Sequence, residues 1–232
     1  MSISPVYPGT WASHQASDPF FSDVVNLSHF DGTNGSTTFT DSSSLAHNLT
    51  LVAGANAAIS TTAYEFGGSS LRTNKTSNGI TATNTAYSVG TQDYTVEWWM
   101  NADSTAEQDI LFISEVPDYG FYNLAGGDIH VYLNTVDRIV SGTALVAGAW
   151  TFCAYSRHYN ATSNFYINGS SVGSWTDNLN INVVSPVLYL GGYPSGTFQF
   201  SGYIDDFRFT IGKARYSGST CPVPTAAFPN HS

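Results

Sequence analysis

Apolar residues recur at every second position in short runs, and clusters of Gly, Asn, Ser and Asp separate the runs. Segments 24–30 (VVNLSHF), 94–100 (YTVEWWM), 109–116 (DILFISEV), 128–133 (DIHVYL), 150–157 (WTFCAYSR), 164–175 (NFYINGSSVGSW), 186–192 (PVLYLGG) and 203–212 (YIDDFRFTIG) all show this pattern or are rich in β-branched and aromatic side chains. Such runs predict half-buried β-strands. Asn168-Gly169 interrupts one of them, and because both residues tolerate positive φ it predicts a tight hairpin. No segment longer than ten residues carries a persuasive 3.6-residue period with caps, and no repeat of fixed length occurs. Many short strands with frequent turns predict an all-β, antiparallel sandwich or jelly roll. A parallel α/β fold would need crossover helices that the pattern does not offer.

The two ends break the pattern. Residues 1–22 hold Pro5, Pro8 and Pro19 but also the large rings of Tyr7, Trp11, Phe20 and Phe21. A solvated tail has little use for such rings, so this segment is read as an extended arm that orders on its own domain or on a partner. Residues 23–232 form the domain. Pro222, Pro224 and Pro229 keep the last stretch out of any central strand. Phe228 there predicts a tail laid back on the domain with its ring in a groove.

Composition narrows the function. Charged residues are only 10% of the 232, and 7 basic against 17 acidic residues give a net charge of −10. A phosphate-backbone reader needs a dense basic face, so nucleic acid is excluded as a partner, as is an anionic membrane. No apolar run approaches the roughly 18 residues of a spanning helix. The first residues show no basic start followed by an apolar stretch, so the chain is expected to be made in a cytoplasm. Cys153 and Cys221 exclude a disulfide-dense scaffold; whether they bridge is open, and Cys153 lies on a strand expected to be buried.

Three segments together resemble a known family: 27–43 (LSHFDGTNGSTTFTDSS), 66–71 with 94–100 (FGGSSL, YTVEWWM), and 202–229 (GYIDDFRFTIGKARYSGSTCPVPTAAFP). They look like the concanavalin A-like, laminin-G-type jelly rolls that recur in bacteriophage virion proteins. AWTFCAYSR resembles the family's W-x-x-x-A-x-x-R strand, and FYINGSSVGS its hairpin. The resemblance spans about residues 24–230. It implies a two-sheet sandwich whose first and last strands lie close together, bringing the Asp31 loop toward Asp205 and Asp206.

Candidate chemistry is sparse. Asp31 stands in a loop with Gly32, Asn34 and Gly35, surroundings that suit the oxygen-rich shell of calcium. The family often joins its first loop to its last strand through one structural ion, which here implies Asp31 and Asp205 as ligands, with Asp41 a further oxygen. The competing reading has Asp31 capping a turn and Asp206 pairing with Arg208, two residues on along the same face. Loop tyrosines Tyr119, Tyr122 and Tyr193 are candidate glycan contacts. Glu97 is the one acid in a confident central strand, and residues 95 and 99 are not ionisable. The paired carboxylates of a glycosidase are therefore missing. The six histidines are scattered, and no nucleophile elbow or phosphate loop occurs.

These features and the resemblance lead to an expectation of a non-enzymatic bacteriophage structural protein at the virion surface. A capsid decoration or head-fibre protein is expected first, attached through the N-terminal arm to the major capsid protein or another virion protein, alone or as a homo-oligomer. The alternative is a tail-fibre or receptor-binding module that recognises a host-surface glycan.

Overall fold

The structure is a computed structural model and describes residues 17–75, 79–114, 117–193 and 198–232. In chain order its strands are β1 (Val24–Ser28), β2 (Thr50–Leu51), β3 (Ala58–Ser60), β4 (Ser70–Thr73), β5 (Ile80–Thr83), β6 (Tyr94–Ala102), β7 (Gln108–Ile113), β8 (Tyr119–Asn123), β9 (Asp128–Leu133), β10 (Val136–Ala144), β11 (Trp150–Arg157), β12 (Ala161–Ile167), β13 (Ser170–Asp177), β14 (Val187–Leu190) and β15 (Gly202–Ile211). They pair into two antiparallel sheets. One has eight strands in the order β13-β12-β11-β6-β15-β4-β3, with β1 also on β15. The other has seven, in the order β10-β9-β8-β7-β14-β5-β2. One edge of β15 is divided: its first residues pair with β4 and its last with β1, while β6 runs along the other edge. Among the described residues helix is confined to two three-residue 3-10 turns, and none is long and apolar enough to cross a membrane.

Alternation explains the layering. On β6, Tyr94, Val96, Trp98, Met100 and Ala102 enter the core between the sheets. They meet Phe121 and Val131 from the seven-stranded sheet, and Trp98 lies 4.8 Å from Phe121 between ring centroids. The intervening Thr95, Glu97 and Trp99 face the other way, yet they too are buried. The chain ends cover them. Trp99, Phe152 and Tyr166 form a second apolar cluster with Leu27, Cys221 and Phe228, and Phe21 and Tyr216 pack on it. The outer face of the eight-stranded sheet is thus roofed by the segments that precede β1 and follow β15.

The expected strands at 94–100, 128–133 and 150–157 appear at or within one or two residues of those bounds. The hairpin turn sits at Asn168 (φ 46°) and Gly169 (φ 82°), as the dipeptide predicts. The pattern misses β2 to β5, β8 and β10. The first four are two to four residues long and rich in Ser and Thr, too short for a period to register. β8 is cut by Gly120, and β10 shifts register twice against β9, which scrambles its alternation. Phe228 fills a groove as expected, with Arg208 3.8 Å above its ring. The arm boundary moves. Asp18 is 3% exposed, Phe21 packs on the second cluster, and Phe20 lies 5.4 Å from the Arg215 guanidinium. Residues 18–22 therefore belong to the domain, and Phe20 and Phe21 are spent on it. Tyr7 and Trp11 lie outside the described residues.

Candidate functional site

The outer face of the seven-stranded sheet carries the rings that the inner face does not use. On β9, Ile129, Val131 and Leu133 point inward, so His130 and Tyr132 point out; on β8, Phe121 points inward and Tyr122 out. Phe112 of β7 and Tyr189 of β14 join them. Gly120 makes the arrangement possible. A Cβ there would stand 2.4 Å from Phe112 Cδ1 and 2.5 Å from the Leu111 carbonyl oxygen, so only glycine lets the Phe112 ring lie down across β8. Phe112 then sits 6.4 Å from Tyr122, 6.2 Å from Tyr132 and 5.4 Å from Tyr193.

These rings floor a cleft of about 340 Å³ lined by Glu107, Asp109, Phe112, Asp118, Tyr122, Leu124, Tyr132 and Tyr193. Among the described residues three carboxylates rim it and no Lys or Arg does. Burial and the neighbouring Glu107 charge push the Asp109 carboxyl up to about 6. Tyr122 is fixed from behind: its hydroxyl donates to Asp137 at 2.8 Å, and its ring stacks on His130 at 4.8 Å. His130 Nδ1 is in turn 3.1 Å from Asp137. Strands hold Phe112, Tyr122, Tyr132 and Asp109, while Glu107, Asp118 and Tyr193 stand in the adjoining loops; an aromatic floor with acceptors at its rim can stack on an apolar ring face and take hydrogen bonds from hydroxyl or ammonium groups. A larger groove of about 530 Å³ runs beside residues 22–25 and 84–88, and its lining among the described residues includes His47 but no Phe, Tyr or Trp.

On the side of the eight-stranded sheet a pocket of about 310 Å³ opens beside His29, Phe30, Asp31, Thr40, Ser42 and Asn230, and Phe30 is the one Phe, Tyr or Trp among its described lining residues. Glu97 is completely buried. Its carboxylate accepts from Arg208 Nε at 2.8 Å, Arg208 Nη2 at 2.9 Å and the Tyr216 hydroxyl at 2.6 Å. Arg208 Nη1 reaches Asp18 at 3.0 Å, and Arg215 also holds Asp18 at 2.8 Å. The acid singled out in the central strand is therefore a buried counter-ion under the roof of the chain ends. Arg157, the last residue of the W-x-x-x-A-x-x-R segment, has a similar task. It grips Asp177 in bidentate fashion at 2.6 and 2.9 Å and donates to the carbonyls of Gly90, Gln92 and Leu179.

The Asp31 loop does approach the last strand, as the resemblance implied. Gly32 N donates to Ser69 Oγ, the Asp31 carboxylate lies against Gly67, and Asp205 Oδ2 accepts from the amides of Glu65 and Phe66 at 2.8 and 3.0 Å. The donor set does not suit calcium, however. Asp205 Oδ1 is taken by the Asp206 amide. Asp41 joins neither residue; it organises its own turn, accepting from Leu27 N, Ser43 N, Ser43 Oγ and His47 N. No group of three or more His, Cys, Asp or Glu among the described residues is arranged to hold a metal. Asp206 also departs from expectation. Its φ of 45° and a register slip between Asp205 and Arg208 turn it toward His29 Nδ1 at 2.6 Å and the Phe228 amide at 2.8 Å, leaving Arg208 to Glu97.

Of the three tyrosines expected at the surface, Tyr122 and Tyr193 line the cleft together. Tyr119 does not: it is 1% exposed, points into the core and donates to the Tyr87 carbonyl at 2.7 Å. Sequence reasoning missed Phe112, Tyr132 and Asp109. The signal was present, since Phe112 and Tyr132 occupy the outward positions of confident strands, where solvent-facing side chains are ordinarily polar. Cys153 and Cys221 are both buried and unbridged, and burial pushes the Cys221 thiol up to about 12.

Comparison with known proteins agrees with the architecture. Residues 74–211 match Laminin_G_3, the concanavalin A-like lectin/glucanases superfamily. No curated protein matches the chain. Among solved structures, domain 4 of AbnA, an extracellular GH43 arabinanase from Geobacillus stearothermophilus, seen in complex with arabinotriose, superposes with a TM-score of 0.64 at 20% identity, over 82% of this chain and 93% of that one. The binding domain of Paraclostridial Mosquitocidal Protein 1 gives 0.61 at 16% identity, over 85% of this chain and 50% of that one. The receptor binding domain of botulinum neurotoxin D gives 0.62 at 15% identity, over 85% and 51%. This chain spans about half the length of the two toxin domains. With more than half of its length matched to the family and a two-sheet antiparallel jelly roll to carry it, the chain belongs to the laminin-G-type group of the concanavalin A-like lectin/glucanase superfamily.

Proposed function

We propose that this protein is a non-enzymatic glycan-binding module whose contact surface is the tyrosine cleft of the seven-stranded sheet, and that it works as a receptor-recognition domain on a bacteriophage particle. The observation that carries the reading is the cleft itself. The rings of Phe112, Tyr122, Tyr132 and Tyr193 line it beside Glu107, Asp109 and Asp118, the pairing of aromatic surface and hydrogen-bond acceptors that suits a sugar ring. The arabinotriose-bound arabinanase domain shares the fold and supports a sugar as ligand class. The virion setting is supported by the resemblance of the closing segment 202–229. The absence of turnover is supported by the burial of Glu97 against Arg208 and Tyr216.

Capsid decoration or a head-fibre role is the second reading, favoured by where the chain ends lie. Asp18 N donates to the His231 carbonyl at 2.9 Å, so the segment that starts at residue 17 and the C-terminal segment meet on the side of the molecule away from the cleft. That is a fitting geometry for a domain attached on one side and displaying the other. Residues 1–16, with Tyr7 and Trp11, are the proposed attachment segment, and the particle surface the proposed location. Glycan-array binding by the full chain, lost in Tyr122→Ala and Tyr132→Ala, is the expected result. An array without signal contradicts the glycan reading. Immunogold labelling of purified particles separates the settings: gold on the tail fits receptor recognition, gold on the head fits decoration, and unlabelled particles contradict both.

A further inference from the structure

The electrostatics of the cleft go further than its shape. The chain has seven basic residues, and the structure engages them elsewhere. Arg157, Arg208 and Arg215 are paired with buried carboxylates. Arg72 holds Asp103 at 2.7 Å, and Arg138 covers Trp175 at 4.9 Å. Lys213 lies 5.5 Å from the Phe20 ring, and Lys75 acts on Asp103. None lines the cleft. Glu107, Asp109 and Asp118 therefore face it uncompensated by any cation in its wall, next to four aromatic rings.

We infer that the cleft selects a sugar unit bearing a protonated amine, and rejects acidic sugars, because Glu107, Asp109 and Asp118 rim an aromatic floor that contains no cation. The inference rests on the reading of the cleft as a glycan site. An ammonium group is the one common sugar substituent that gains from both features. It is attracted to the negative face of an aromatic ring, and it donates charge-assisted hydrogen bonds to carboxylates. A neutral hydroxyl gains the hydrogen bond without the charge. A uronate or sialate carboxylate meets three like charges and no donor with a positive charge. Asp109 adds a reason: its carboxylate is partly removed from water, so a cation that approaches it restores stabilisation that burial took away.

The test is calorimetric titration of the full chain at neutral pH with three trisaccharide probes of equal length: deacetylated chitotriose, N-acetylated chitotriose and trigalacturonate. The amine-bearing probe is expected to bind about tenfold more tightly than its N-acetylated counterpart, the increment of one charge-assisted hydrogen bond, and trigalacturonate should give no heat. The preference should vanish in a Glu107→Gln, Asp109→Asn, Asp118→Asn triple variant, which leaves the rings in place. Equal binding of the amine and N-acetylated probes overturns the charge selection while leaving the glycan reading intact. A preference that survives in the triple variant also overturns it, because the attraction is then the general one of an acidic chain, whose native net charge is −10. Tightest binding of trigalacturonate overturns it as well. If none of the probes binds and the glycan array is also blank, the underlying reading fails with it.

Discussion

Gly120 is the residue on which the cleft depends most directly. Its missing side chain is the space that Phe112 occupies, and the nearest obstacles to a Cβ include the Leu111 carbonyl, which is backbone and cannot swing aside. Gly120→Ala is expected to cost about 1–3 kcal/mol in stability, as overpacking does, and to abolish binding in the cleft by lifting Phe112; urea unfolding and glycan titration read the two effects. Asp109 gives a second expectation. Its carboxyl is raised to about 6 from the ordinary 3.8. The folded state therefore holds a proton that the unfolded chain releases, and stability falls as pH rises through this window. Asp109→Asn should raise the urea midpoint at pH 7.5 and leave it nearly unchanged at pH 3.5. An unchanged midpoint at pH 7.5 would show that the carboxylate is fully solvated. At this scale the sequence was partly readable. Tyr122 and Tyr193 are picked out by type and by their neighbouring glycines, whereas Tyr119, three residues before Tyr122 on the same strand, falls on the opposite face. A single missed strand reverses the assignment, because side chains alternate with a period of two.

At the scale of elements, β15 and the two ends of the chain act as one unit. β15 supplies Arg208, the segment after it supplies Arg215 and Tyr216, the segment before β1 supplies Asp18, and β6 supplies Glu97. Removing one member leaves charge buried without its partner. Glu97→Gln is expected to destabilise the domain by about 3 kcal/mol, with a matching loss after deletion of residues 1–19, which removes Asp18. Deletion of residues 1–16 spares Asp18 and should leave the urea midpoint unchanged. The strands themselves were legible wherever five or more residues alternate, as in β6, β9 and β11. The network was not, because its members are 190 or more residues apart at the extremes, as Asp18 and Arg208 show. The bulge at Asp206 was equally hidden. A regular strand would have sent Asp206 and Arg208 to one face, and only the positive φ breaks that rule.

Across the whole molecule the two outer faces differ in kind. One is largely covered by the segments before β1 and after β15 and is dense in satisfied charge. The other is open, aromatic and acidic. Titration reflects both. Burial raises Asp205 to about 7 and, against its opposing pull, pairing with Asp206 raises His29 from the ordinary 6.5. Each contributes stability that is present in mild acid and lost as pH rises, Asp205 between about 4 and 7 and His29 as pH passes its raised folded value. Asp18 and Asp103 are lowered by their arginines, although burial opposes this at Asp18, so their contribution is lost as pH falls below 3.8. The urea midpoint should therefore peak near pH 4, where the two windows meet, and decline on both sides; a steady rise toward pH 8 would contradict this balance. The jelly roll was legible at this scale from the alternation, the turn residues and the family-like segments. Which face is open was not, because the roof is made by proline-rich ends that carry no strand pattern.

The central claim is that sugars bind on the open face. It is tested most directly by NMR of the full chain with ring-labelled tyrosine, which reports 14 residues at once, titrated with pooled neutral and amine-bearing oligosaccharides. The account predicts that the Tyr122, Tyr132 and Tyr193 signals move while those of Tyr94, Tyr155 and Tyr216 stay. Movement of Tyr166 and Tyr216 on the roofed face, or of no tyrosine at all, would contradict it.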